Sequence, residues 1–101
     1  MKLLIVTVVE QFEKEVLKLF KKAEIENFSS SDIEGYRNLN SLLANSSWFP
    51  SEASGAASGM FFSFTDDVKI DAFFSLVKAY NMNLETANPI KAVVVPIERY
   101  I

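Results

Sequence analysis

The sequence predicts an α+β fold with elements in the order strand, helix, strand, strand, helix, strand, folded as a four-stranded antiparallel sheet with both helices on one face. Three observations lead there. Residues 3–9 and 92–97 are apolar at nearly every position and rich in β-branched side chains, the pattern of strands covered on both faces. Two further stretches carry apolar residues at helical spacing, and between those helices lie a weaker strand-like segment and a third strand, separated by a long polar connection.

In chain order, residues 1–9 form the first strand, with Leu3, Ile5, Thr7 and Val9 on one face and Leu4, Val6 and Val8 on the other. Phe12, Val16, Leu19, Phe20 and Ala23 then make a single helical stripe, with Glu13, Lys14, Glu15, Lys18, Lys21 and Lys22 on the far side as a solvated face. Residues 28–38 are the second strand. Neither of its faces is cleanly apolar, so it belongs at a partly wet edge, and Gly35 within it predicts a bulge or a close approach by another backbone or a ligand. Residues 39–58, rich in Ser, Asn, Ala and Gly, exceed an ordinary connection and are expected to be a mobile loop.

Residues 59–65 are the third strand. Thr65, Asp66 and Asp67 suit a helix N-terminus and its dipole, and explain that acidic cluster with Asp71 better than a cation site does. Ile70, Phe73, Phe74, Val77 and Tyr80 form the second helical stripe, ending near Met82; residues 81–88 turn the chain, and the last strand begins at Lys91. Pro96 marks that strand as an edge. This order is the split βαβ arrangement of ferredoxin-like folds, and right-handed crossovers place the first and third strands centrally. Helices on one face leave the other bare. Three or four Val, Leu or Phe side chains left in water there would forgo roughly 1.5–3 kcal/mol each, so that face is expected to be an interface between subunits.

Composition narrows the function classes. A chain of 101 residues makes one domain, 1–101. It carries a net charge of −3 with its Lys and Arg interleaved among acids, which argues against nucleic acid. Cysteine and histidine are both absent, removing disulfides, thiolate chemistry, the usual transition-metal ligands and the near-neutral general base. Any enzyme would have to work with carboxylates and lysines. No cofactor, metal site or catalytic residue is therefore expected. The first apolar run, 3–9, is too short for a signal peptide or a membrane span, so no direct membrane insertion and a cytoplasmic address are expected. Gly55 and Gly59 resemble a phosphate loop only in their glycines, since no Lys follows.

Three segments together resemble the PII signalling superfamily. Residues 1–12, MKLLIVTVVEQF, are similar to its first strand and the Phe opening its first helix. Residues 28–36, FSSSDIEGY, resemble its second strand, and residues 91–99, KAVVVPIER, its closing strand. The resemblance implies a homotrimer with small molecules held in clefts between subunits and a large loop that inserts into partner proteins, a membrane transporter among the candidates. It implies that Ser29 is the hydroxyl near an adenine, Gly35 the first glycine of the loop base and Lys91 a phosphate-contacting lysine. Tyr36, Arg37 and Arg99 would complete the ligand cleft. Trp48, Phe49 and Pro50, an aromatic pair in the polar loop of residues 39–58, are either the loop's anchor for a partner protein or fold back onto the trimer. Asn88, Pro89 and Ile90 stand where the family has a glycine-rich phosphate cradle. ATP and ADP are accordingly expected to bind weakly, with Lys91 left for a smaller anion. The alternatives are an accessory role in heavy-metal efflux and, more remotely, a carboxylate-based enzyme.

Overall fold

The computed structural model describes residues 1–36, 56–84 and 88–101. It contains strands β1 (Lys2–Val9), β2 (Ser29–Gly35), β3 (Ala56–Thr65) and β4 (Lys91–Pro96), with helices α1 (Glu13–Lys22) and α2 (Asp67–Met82). The sheet order is β2-β3-β1-β4, and each neighbouring pair is antiparallel. β1 and β3 are central and the Pro96 strand is an edge, as the sequence predicts.

The core follows from the two periodicities. Leu4, Val6 and Val8 of β1 and Phe61 of β3 share the helix-facing side of the sheet, and Val16, Leu19, Phe20, Ile70, Phe73 and Val77 descend onto them. Phe20 is the hub: its ring lies 4.9 Å from Phe73, 5.8 Å from Phe61 and 4.8 Å from Phe28. Ser63 is buried on this face as well, and its hydroxyl donates to the Asn27 carbonyl at 2.6 Å. That bond ties the approach to β2 onto β3.

The helix ends are made by local chemistry. Asp66 caps α2, its carboxylate accepting from the Lys69 amide at 3.0 Å. Asp67, in the first turn, pairs with Lys2 at 2.8 Å. The hydrogen bond to Lys2 lowers the Asp67 pKa, and the same bond raises that of Lys2. A lowered carboxylate pKa contributes stability above the unfolded value, so this contribution is present at neutral pH and lost on acidification. α1 ends in a Schellman motif: the Ile25 amide donates to Phe20 O at 2.9 Å, the Glu24 amide to Lys21 O at 3.1 Å, and Glu24 sits at φ 61°. A left-handed conformation costs a side-chain-bearing residue about 1–2 kcal/mol, part of which glycine's extra unfolded-state entropy offsets. Glu24→Gly should therefore raise stability by about 0.5–1 kcal/mol in urea melts. A loss would mean that the turn is not held in this conformation.

Four expectations need correction. The third strand begins at Ala56 rather than at residue 59, so the loop expected over 39–58 loses its last three residues to a strand; the small residues Ala56, Ala57 and Ser58 pair with Gly35, Glu34 and Ile33 of β2. β2 stops at Gly35, short of residue 38. Gly35 makes no bulge, because β2 pairs residue for residue with β3 throughout. The close glycine is instead Gly59, where an added Cβ would collide with the Glu13 carboxylate. Finally, β4 is not covered on both sides within one chain: Val93 and Val95 are about half exposed. The rest of loop 39–58, with Trp48, Phe49 and Pro50, and Arg37 at its base lie outside the described residues.

Candidate functional site

The side of the sheet away from the helices is built by the pleat and the register. Val95, Leu3 and Phe64 form one row across it, and Val93, Ile5, Phe62 and Ser29 the next. Lys91, Thr7, Met60 and Ser31 follow, then Val9, Ser58 and Ile33. Phe64 is 56% exposed and Val93 54%, although both belong to a continuous apolar surface. A single chain leaves it uncovered.

The site residues expected from the sequence divide between the two edges of this face. Ser29, Gly35 and Tyr36 belong to the β2 edge; Lys91 belongs to β4, and Arg99 lies just beyond it. Lys91 stands in the row of Ser31, three strand spacings away, or about 14 Å. One chain therefore does not bring Lys91 together with the β2 residues. Only apposition of two copies could. Tyr36 is half exposed and its hydroxyl donates to the Glu34 carboxylate, a bond that raises the phenol's pKa.

The turn into β4 is locked from inside the chain. Asn81, near the end of α2, donates from Nδ2 to the Ile90 carbonyl at 2.8 Å and accepts from the Ile90 amide at 3.0 Å through Oδ1. The Ile90 side chain is buried. Pro89 has no amide hydrogen. Of the main-chain positions immediately before Lys91, neither 89 nor 90 has a donor left for a ligand.

Two hollows flank β2. At its start, Glu26, Asn27, Phe28, Ser29, Phe62 and Phe64 surround about 370 Å³, with the Phe62 and Phe64 rings 6.4 Å apart and nearly perpendicular. At its far end, Glu10, Glu13, Asp32 and Glu34 line about 490 Å³. Among the described residues neither hollow is lined by a lysine or arginine. Sequence reasoning missed the acidic hollow. Its residues come from three elements, and only the alternation of Asp32 and Glu34 along β2, which puts both on the helix side, hinted at it. Among the described residues no group of three or more acidic residues is placed to hold a metal ion, and no helix is long and apolar enough to cross a membrane.

No protein-family model matches the chain, and no curated protein matches it in sequence. Its structure is similar to the crystal structure of Arabidopsis thaliana PII bound to citrate, with a TM-score of 0.66 over 95% of this chain and 76% of that one at 12% sequence identity. The likeness is one of fold. The chain has a PII-like, ferredoxin-like fold carried by a strongly divergent sequence.

Proposed function

We propose that this chain is a PII-like regulatory binding protein that works as a homotrimer, holds a small ligand in the clefts between its subunits and engages a partner protein, such as a membrane transporter, through residues 39–58. The observation that carries this reading is the bare apolar face. Covering what is still exposed of Phe64, Val93 and Val95, about half of each side chain, is worth about 2–4.5 kcal/mol per subunit, a large share of the net stability of a small domain, about 5–15 kcal/mol. A ring of three copies would also bring the β4 edge of one subunit, with Lys91 and Arg99, to the β2 edge of the next, with Ser29, Gly35, Tyr36 and Arg37. A cyclic assembly joins two different edges in this way. Regulation rather than catalysis fits a chain without histidine or cysteine.

Light scattering coupled to size exclusion tests the assembly. Wild type should run at three times the 11.4 kDa of one chain. Val93→Glu, which places a charge on the proposed interface, should run as a folded monomer. A wild-type monomer at micromolar concentration would sink the reading.

A further inference from the structure

The same face leaves one other apolar feature without a place. Beyond β4 the chain continues as residues 97–101, where Tyr100 is 75% exposed and Ile101 is fully exposed. Pro96 pairs with Lys2, and Lys2 with Thr65, so this segment leaves the sheet at the end that carries Phe64. The hollow between Phe28, Phe62 and Phe64 lies at that same end, on the opposite edge. In a ring whose axis runs roughly along the strands, rotation moves the β4 edge of one copy beside the β2 edge of the next without changing height. The segment would therefore leave one subunit level with its neighbour's hollow.

Charge agrees with the placement. Glu26 borders the hollow and Arg99 precedes Tyr100. Among the described residues neither has an ion-pair partner within the chain. The volume, about 370 Å³, is at the small end of the range for ligand sites and admits one aromatic side chain with room to spare. Aromatic rings prefer edge-to-face and offset contacts, and the near-perpendicular Phe62 and Phe64 rings offer both to an incoming ring.

We propose that residues 97–101 of each copy seat in the Phe62–Phe64 hollow of the next copy, with the Tyr100 ring against those two phenylalanines and Arg99 facing Glu26, so that the ring of subunits is closed by exchanged arms. The proposal rests on the trimer reading above and adds the occupant of this hollow. A small ligand entering there has to displace Tyr100, which ties ligand binding to the strength of the assembly.

Because the chain has no cysteine, paired cysteines report the contact cleanly. Disulfides form where Cα atoms lie about 4.4–6.8 Å apart. The variant Asn27→Cys with Ile101→Cys leaves Arg99 and Tyr100 intact, and under mild oxidation it should give dimer and trimer bands on a non-reducing denaturing gel. Neither single-cysteine variant should do so. Adding Tyr100→Ser should lower the yield at least tenfold; Arg99→Glu should lower it too, and Arg99→Glu with Glu26→Arg should restore it. An oxidised band at monomer size would show the arm folding back on its own chain and overturn the proposal. A trimer by light scattering that gives no ladder would overturn the arm and leave the assembly standing. A monomer by light scattering would remove both.

Discussion

Phe73→Ala is expected to destabilise the folded chain by about 3–5 kcal/mol, the range for truncating a fully buried aromatic side chain. Phe73 has no exposed surface and stacks on Phe20, whose ring in turn meets Phe61 on the sheet. Its removal opens a cavity where α2, α1 and β3 converge, and fully buried neighbours on all sides leave little freedom to collapse into it. Urea unfolding measures the effect. With a slope of about 1–3 kcal/mol per molar for a small protein, the midpoint should fall by roughly 1–5 M. Wild type and variant have to be compared at one protein concentration, since the proposed assembly would add a concentration-dependent share of stability. Phe64→Ala is the natural contrast, because Phe64 lies on the bare face and should act through association. A Phe73→Ala loss below about 1 kcal/mol would mean that the two helices do not pack on the sheet as described.

Most of the fold was legible because the signals that specify it are local. The alternation of Leu4, Val6 and Val8 with Leu3, Ile5 and Thr7 assigns the two faces of β1 directly, and Val16, Leu19 and Phe20 recur at the period that turns them toward the sheet. Pro96 marked the edge because it cannot donate to a ladder. What escaped depends on contacts between distant positions or on backbone angles. Asn81 reads in the sequence as the start of a turn, yet its amide clamps Ile90, nine residues on. Glu24 holds a left-handed angle that nothing in its side chain announces. Gly59 looked like the opening of a strand, whereas it lies inside β3 with the Glu13 carboxylate packed over it.

The candidate site was less legible for a different reason. Ser29 and Lys91 are on opposite edges of the sheet, so a cleft containing both is a property of two chains, and hydrophobic periodicity reports only that a face is apolar. It does not say which surface covers that face. The acidic hollow has the same difficulty on a smaller scale, since Glu10 and Glu13 reach it from the start of the helical layer and Asp32 and Glu34 from the edge strand.

ATP, ADP and AMP are expected to bind no tighter than about millimolar, and the geometry before β4 is the reason. The resemblance to PII proteins would place phosphates on the turn that precedes Lys91. In this chain Pro89 lacks an amide hydrogen, the Ile90 amide is donated to Asn81 at 3.0 Å, and the Ile90 side chain is buried beneath the turn. Two main-chain donors are thus withdrawn from a polyphosphate. A hydrogen bond to a charged group contributes about 1.5–3 kcal/mol; losing two weakens binding by about 3–6 kcal/mol, or on the order of a hundredfold to ten-thousandfold. Lys91, exposed at the head of β4, still offers a charge to a smaller anion. Calorimetry with the three nucleotides on wild type and Lys91→Ala decides the matter. Micromolar ATP binding that disappears in the variant would show that phosphates reach this turn after all and would restore nucleotide sensing, whereas weak binding that changes less than threefold on removing Lys91 is the expected result.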